Sequence, residues 1–270
     1  MGKVILVLLD GCGYEVASEL LGCVEGLLDS RPGAKYRVQA SIPSLSRPAY
    51  QTILTGLPPH EHGVWSNQDH RISVPDNVFT LCRTNGLNTA AAAYHWGSEL
   101  YSRTPFDPHS DRIQLGSTGA IANGLFYFED GYPDTHVYAD GEFLRRTFQP
   151  DFLLLHSMNI DDAGHGHGSA SAQYRRAVLA VDSILADLLP TWLHDGHSVV
   201  ITADHGMDEM GMHGGTTQAH REVPLYVFAD EVRPGRHTDA SISQLSIAPL
   251  LCRLLGLPPS AKMQSSSEIQ

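Results

Sequence analysis

The fold is decided by Phe152-Leu153-Leu154-Leu155 and by the segment that follows it, Asn159-Ile160-Asp161-Asp162-Ala163-Gly164-His165-Gly166-His167-Gly168. The four apolar residues predict a buried strand, and the next segment predicts a loop rich in metal-ligand side chains. Asp161 and His165 stand four positions apart, and we expect both to reach one divalent cation because the glycines let the backbone fold tightly. Taken alone, the motif fits an ordinary surface loop equally well.

Two further apolar runs also end in aspartate. Residues 4–9 lead to Asp10, and residues 197–201 lead to Asp204 and His205. An aspartate after one strand is commonly a helix cap, but three such sites, two with a nearby histidine, offer more ligands than one cation needs. Because open α/β sheets carry their chemistry at the carboxyl ends of strands, we expect these residues to share one edge.

The composition predicts a single α/β domain. A chain of 270 residues with 42% hydrophobic residues can bury a large core. We expect a three-layer α/β/α sandwich over residues 1–262, with helices on both faces of a mostly parallel sheet, and a disordered tail over 263–270. The pattern predicts helices over 15–28, 140–148, 169–189 (ended by Pro190) and 242–255, strands over 36–40, 87–94 and 223–228, and a proline-rich loop over 57–67.

The charge balance limits the classes of partner. A formal net charge of −12 repels nucleic-acid backbone and anionic lipid, so we expect no nucleic acid and no membrane as partners. A phosphate-bearing substrate would need local positive charge, which two divalent cations can supply. The pattern does not decide between a monomer and a homo-oligomer.

The cysteines and the N-terminus predict a cytoplasmic protein. No pair has C-x-x-C spacing, so the thiols are expected to be buried in a reducing compartment; the four are Cys12, Cys23, Cys82 and Cys252. The apolar run after Lys3 is too short for a signal peptide, and no stretch has the apolar length needed to span a bilayer.

Ser46 lies where a helix is predicted to begin. Pro48 suits a first helical turn and Gly56 ends the segment. Backbone amides and the helix dipole at such a position favour an anion and would stabilise an alkoxide. An isolated serine in this setting would more simply be an N-cap.

Together these motifs resemble the alkaline phosphatase superfamily, specifically its type I phosphodiesterase/nucleotide pyrophosphatase branch. The resemblance runs from Asp10 to about Phe228. It is carried by Leu8-Leu9-Asp10-Gly11, Ser46-Arg47-Pro48 through Leu54-Thr55-Gly56, His62-Gly63, Asp161 to His165 with Gly168, Asp204-His205-Gly206-Met207, and Met212-His213-Gly214-Gly215.

The resemblance implies a binuclear centre and a covalent mechanism. It implies one metal site of Asp10, Ser46, Asp204 and His205, and another of Asp161, His165 and His213. Such ligands suit two Zn²⁺ ions, with Mn²⁺ as the alternative, about 4 Å apart. Ser46 would attack phosphorus to give a phosphoserine that water then hydrolyses. The backbone amide of Arg47 and the side chain of Asn67 would bind the phosphate oxygens.

Several alternatives stay open at this stage. His220 competes with His213 as the last ligand, and the His-Gly-Gly context favours His213. Ser46 and Ala49 replace the threonine and asparagine of nucleotide pyrophosphatases, so nucleotide specificity is not implied. We expect hydrolysis of a small phosphodiester or related phosphate or phosphonate ester, with a phosphomonoesterase as the nearest rival and a non-catalytic metal-binding module as another.

Two more groups of residues complete the expectations. Candidates for the substrate wall are Tyr14, Arg47, Arg71, His95 and Trp96. Histidines expected to support the fold or the ligands are His60, His62, His70, His95, His156 and His167.

Overall fold

The strands form one sheet. The structure, a computed structural model, describes residues 2–263 and 269. The strands are β1 (Lys3–Leu9), β2 (Ala34–Gln39), β3 (Thr89–Tyr94), β4 (Ile113–Gln114), β5 (Asn123–Tyr127), β6 (Phe152–Ser157), β7 (His197–Thr202), β8 (Glu222–Phe228) and β9 (Gly235–Ser243). Their order is β4-β5-β3-β6-β1-β7-β8-β2-β9. β4 and β8 are antiparallel to their neighbours and the other strands share one direction, which confirms the predicted mostly parallel sheet.

Helices cover the sheet in two groups. They are α1 (Tyr14–Leu20), α2 (Gly22–Ser30), α3 (Ser46–Thr55), α4 (Pro59–His62), α5 (Val78–Thr84), α6 (His95–Tyr101), α7 (Pro108–Asp111), α8 (Asp134–Phe148), α9 (Asn159–His167), α10 (Ala172–His194), α11 (Gln218–Arg221) and α12 (Ile247–Leu255), with a 3₁₀ helix at Gln244–Ser246. One group consists of α1, α2, α8, α9 and α10, and the other of α3, α5, α6 and α12. The three-layer α/β/α architecture is confirmed.

The strands that end in aspartate are neighbours in the middle of the sheet. β1 lies between β6 and β7 and is parallel to both, and Leu8 pairs with His156 on one side and Thr202 on the other. Asp10 follows β1 directly and Asp204 comes two residues after β7. Segments that are far apart in the chain therefore leave the sheet at the same edge.

The segment predicted as a loop over 159–168 is helix α9. Its first turn is capped from a distance, because the Asp134 carboxylate accepts hydrogen bonds from the backbone N–H groups of Met158 (3.2 Å) and Asn159 (3.3 Å). In return, the Asn159 side-chain oxygen accepts from the Asp134 backbone N–H at 2.9 Å. The loop prediction was wrong because this capping partner is not in the local sequence.

Helix α10 continues past Pro190 and ends at His194, so the predicted stop was wrong. A proline inside a helix removes one backbone hydrogen bond and kinks the helix, but does not always end it. By length and composition α10 could also cross a membrane, which was not expected. In this fold its face that includes Val178 and Val181 is buried.

The structure also differs from prediction at two helices and at one cysteine. The helix expected over 242–255 begins at Ile247, because Ile242 belongs to β9 and pairs with Val38 of β2. The helix expected over 15–28 is divided at Leu21 into α1 and α2. Cys23 is exposed, while the other three cysteines are buried as predicted.

The predicted disordered tail lies mostly outside the described residues, which leave out 264–268 and 270. Met263 and Ile269 are buried, and Arg253 donates a hydrogen bond to the Ile269 carbonyl at 2.9 Å. The disordered tail stays a prediction.

His62 ends a short helix inside the segment predicted as a loop over 57–67. Its Nδ1 accepts a hydrogen bond from the Val64 backbone N–H at 3.1 Å, and its Nε2 lies 3.1 Å from Thr52 Oγ1. Burial lowers the pKa of His62 to about 4. The neutral imidazole therefore joins α3 to the loop that follows α4.

We expect His62 to make the protein acid-sensitive. The pKa of His62 is lower in the folded state than in the unfolded state. Its contribution to the free energy of unfolding is therefore fully present above pH 6.5 and is lost as the pH falls towards 4, by up to about 3 kcal/mol. Urea unfolding of wild type and His62→Gln between pH 7 and 4 should show a shallower decline in the variant. The exposed His109 supplies the control, and a His109→Gln variant that flattens the decline as much would contradict the assignment.

Candidate metal centre

Four predicted residues meet beyond the ends of β1 and β7. His205 Nε2 lies 3.4 Å from Asp10 Oδ1 and 3.3 Å from Asp204 Oδ2. Ser46, the first residue of α3, places its Oγ 3.0 Å from the same nitrogen. The three ligand-type side chains are fully buried and Ser46 nearly so. The hydroxyl thus lies against a buried group of two carboxylates and one imidazole.

A second group adjoins the first. On α9, Asp161 Oδ2 and His165 Nε2 are 3.3 Å apart, since residues four apart share a helix face. His165 Nε2 is 3.2 Å from His213 Nε2, and the His213 ring stacks on that of His205 at 3.7 Å between centroids. Ligand atoms lie within 4.8 Å of one another in the set Asp161, His205 and His213 and in the set Asp10, Asp204 and His205. His205 therefore connects the two groups.

The three imidazoles of these groups are oriented alike. Each directs Nδ1 at a backbone carbonyl oxygen, so Nδ1 carries the proton and Nε2 faces the cluster. The carbonyl partners are Gly211 for His165 (2.8 Å), Gly206 for His205 (3.0 Å) and Ser44 for His213 (3.1 Å). This is the orientation in which histidines present a nitrogen lone pair to a metal ion.

Three carboxylate oxygens in the cluster lack a partner. Asp10 Oδ1, Asp161 Oδ1 and Asp204 Oδ2 are buried without a hydrogen-bond partner in the described part of the chain. Such groups are costly unless a cation satisfies them. The space is kept open by Gly11, at φ +71°, where a Cβ would lie 2.8 Å from Asp161 Oδ1. Carboxylate oxygen and imidazole nitrogen are ligands that divalent metals accept, so these residues fit a metal centre.

The electrostatics of the cluster also favour a cation. Burial acts to raise the pKa of Asp10, but a hydrogen bond from His156 and nearby imidazoles lower it to about 2. Burial and the charge of Asp10 raise the pKa of Asp204 well above its usual range. A hydrogen bond to Asp161 raises the pKa of His165 to about 9. Anionic groups thus crowd a buried site, and a divalent cation would relieve their repulsion.

Asn67 lies beside the nucleophile candidate, in an arrangement that differs from the expected one. Its Oδ1 accepts a hydrogen bond from the Arg47 backbone N–H at 3.1 Å, so that N–H is already engaged and is not open to a phosphate. The Arg47 side chain is completely buried, where it pairs with Glu99 at 2.6 Å and lies over the Trp96 ring. Neither Arg47 nor this face of Trp96 is therefore available as a substrate wall.

Other predicted residues lie apart from the cluster. His220 accepts a hydrogen bond at Nδ1 from the Gly215 N–H (3.1 Å), and its Nε2 binds Asp208 (3.0 Å). Of the two competing histidines, the structure thus brings His213 to the cluster. Tyr14, a candidate for the substrate wall, is buried under the Arg37 guanidinium, 4.2 Å from its ring.

Two further residues contact the cluster: Tyr50, which was not predicted as functional, and His156, which was expected only to support the fold or the ligands. Tyr50 and His156 both hydrogen-bond Asp10. Tyr50 stands four residues after Ser46 on the same helix, and this spacing could have drawn attention to it. His156 stands in β6 beside Leu8 of β1, a register that local sequence does not reveal.

A family model described as type I phosphodiesterase / nucleotide pyrophosphatase matches residues 4–233. The chain belongs to this family. Among its relatives is the catalytic subunit of GPI ethanolamine phosphate transferase 3 of Mus musculus, 24% identical over 95% of this chain and 24% of the relative. Venom phosphodiesterase 2 of Crotalus adamanteus is 29% identical over 76% of this chain and 27% of the relative. The chain therefore spans about a quarter of the length of these relatives.

The same fold occurs in a solved structure of the family. Murine ectonucleotide pyrophosphatase/phosphodiesterase 5, as an inactive variant in complex with AMP, superposes with a TM-score of 0.75 at 14% identity, covering 100% of both chains. At this identity the likeness shows the fold alone.

The buried Arg47–Glu99 pair should be important for stability. Arg47→Met leaves the Glu99 carboxylate buried without its main partner, and we expect a loss of about 3–5 kcal/mol in the free energy of unfolding. Urea titration of wild type and variant measures it. The exposed Arg175–Glu19 pair is the control, because Arg175→Met should change little. Equal losses in the two variants would contradict the expectation.

Proposed function

We propose that this chain is a binuclear metal hydrolase that cleaves phosphodiesters or related phosphate and phosphonate esters. One observation carries the proposal: unpaired buried carboxylate oxygens and inward-facing histidine nitrogens surround the hydroxyl of Ser46. Membership of the phosphodiesterase family supports the same class of reaction.

The ligands divide into a buried and a more open set. Asp10, Ser46, Asp204 and His205 would hold one cation, and Asp161, His165 and His213 the other. Two such cations, when bound, supply positive charge that lowers the pKa of the serine hydroxyl and neutralises the phosphate. We propose Zn²⁺, because the sets combine carboxylate oxygen with imidazole nitrogen, and Mn²⁺ as the alternative.

Ser46 acts as the nucleophile. Its Oγ attacks phosphorus, the bond from phosphorus to one alcohol breaks, and the alcohol departs with a proton. A water molecule then attacks the phosphorus of phospho-Ser46, which releases the phosphate ester and restores the hydroxyl. Ser46 starts α3, so the reacting phosphate lies near a helix N-terminus that favours its charge.

Asn67 would bind the phosphate through its side-chain nitrogen. Because Oδ1 is held by the Arg47 N–H, the amide plane is oriented and Nδ2 is left as the donor. A preorganised donor of this kind stabilises charge that develops on a non-bridging oxygen.

Transfer to an alcohol instead of water is a second candidate. The similarity to the mouse ethanolamine phosphate transferase covers 95% of this chain, more than the 76% covered by the venom phosphodiesterase. In that reaction an alcohol would attack phospho-Ser46 and form a new diester. Product analysis by ³¹P NMR with an added alcohol separates transfer from hydrolysis.

The rival hypothesis of a phosphomonoesterase is tested by comparing the rates of hydrolysis of aryl diesters and aryl monoesters.

We expect Ser46→Ala to lower diester hydrolysis by at least about 10³-fold, because the covalent step is lost. Steady-state rates with added Zn²⁺ measure the loss, and mass spectrometry of quenched wild type should detect phosphate on Ser46. Ser183→Ala, on the exposed side of α10, is the control and should keep wild-type rates. Turnover in Ser46→Ala at the rate of wild type would remove the covalent mechanism.

The two competing histidines should differ in metal stoichiometry. We expect wild type and His220→Ala to retain two equivalents of Zn²⁺ per chain after dialysis, and His213→Ala to retain one, because only His213 faces the cluster. Elemental analysis of the dialysed proteins measures the ratio. Retention of two equivalents by His213→Ala would exclude it as a ligand.

A further inference from the structure

Asp10 has two different carboxylate oxygens. Oδ2 accepts hydrogen bonds from the Tyr50 hydroxyl and from His156 Nε2, the latter at 2.9 Å. Oδ1 has no hydrogen-bond partner among the described residues and lies 3.4 Å from His205 Nε2. One oxygen is thus saturated with donors and the other is directed at the metal cluster.

His156 is fixed so that it can only donate to Asp10. Its Nδ1 accepts a hydrogen bond from the Tyr94 backbone N–H at 3.3 Å, which leaves the proton on Nε2. The Tyr50 ring meets the imidazole edge-on, with 4.7 Å between centroids, and Tyr127 donates to the His156 carbonyl at 3.0 Å. The ring therefore has one position and one tautomer.

Tyr50 links Asp10 to the nucleophile. Ser46 and Tyr50 stand one turn apart on α3, so the same helix face supplies the reacting hydroxyl and the hydroxyl that holds Asp10. Tyr50 is 4% exposed and His156 2%, so water does not compete for Oδ2.

We propose that Tyr50 and His156 are positioning residues that make Asp10 present a single oxygen, Oδ1, to the cation it shares with Ser46, Asp204 and His205. This inference rests on the proposed function. Without the two donors the carboxylate could rotate or bind through both oxygens, and Oδ2 would be left buried and unpaired. Residues that hydrogen-bond a metal ligand commonly have a strong effect on metal affinity, because they fix the position of the ligand atom.

The test measures Zn²⁺ affinity directly, by competition with a chromogenic chelator, in Tyr50→Phe and His156→Leu. We expect the affinity for one of the two Zn²⁺ ions to fall by about 10- to 100-fold in each variant. The affinity for the other ion should stay unchanged. In His156→Gln the side-chain amide can still donate, and we expect it to restore part of the affinity. With Zn²⁺ saturating both sites, kcat for an aryl diester should fall while KM changes little, because the nucleophile and its ligand are misaligned.

Matched controls separate positioning from general damage. Tyr226 is also buried, but its hydroxyl donates to Glu25 Oε1 at 2.7 Å. His197 is buried at the opposite end of the sheet, where its Nδ1 bonds the Trp192 carbonyl. Tyr226→Phe and His197→Gln should lower thermal stability without weakening Zn²⁺ binding.

These measurements distinguish failure of the positioning role from failure of the proposed function. If wild type binds two Zn²⁺ and Ser46→Ala is inactive, but Tyr50→Phe binds both ions with wild-type affinity, the positioning role is overturned and the proposed function stands. If wild type binds neither Zn²⁺ nor Mn²⁺, the proposed function itself fails. Should His156→Leu not fold, Tyr50→Phe decides the question, since it removes one oxygen atom and keeps the ring.

Discussion

The repulsion among Asp10, Asp161 and Asp204 is the constraint on which the rest of the structure depends. Three carboxylates converge where water is excluded, and each has one oxygen without a partner in the described part of the chain. Uncompensated buried charge opposes folding, so the surrounding architecture must offset it. Hydrogen bonds satisfy the outward oxygen of Asp10, and a bound cation would satisfy the inward ones. Metal binding at such a site contributes directly to the stability of the fold.

The parallel sheet makes this convergence possible. Because β6, β1 and β7 are adjacent and share a direction, their carboxyl ends deliver three distant segments to one place. Only small residues allow the segments to approach so closely. At Gly11 a Cβ would lie 2.8 Å from Asp161, and at Gly168, φ +78°, it would lie 2.1 Å from the Glu209 carbonyl oxygen. The side chains of the cluster are thus held by closely packed backbone, which suits a preorganised site.

Much of the fold and of the cluster could be predicted from local pattern. Asp10 and Asp204 follow buried strands, and strand ends share an edge, so their meeting follows from simple rules. The helical state of α9 and the contacts of Tyr50 and His156 depend on long-range partners, which local sequence does not show. The engagement of the Arg47 amide was missed for the same reason. Cytoplasmic location and the absence of membrane or nucleic-acid partners stay predictions.

The buried Arg47–Glu99 pair determines how a phosphate could be bound. Arg47 is the cationic residue next to Ser46 in sequence, yet its guanidinium is neutralised by Glu99 and hidden from solvent. Arg47 holds the loop that carries Asn67. Because its charge is already neutralised, it cannot compensate the charge of a substrate. In a chain with a net charge of −12, the proposed function requires that attraction for an anionic ester at Ser46 come mainly from cations held by the cluster and from oriented amide donors. In the proposed function, substrate affinity and metal occupancy are therefore coupled, because the cations would supply charge that the side chains around Ser46 do not.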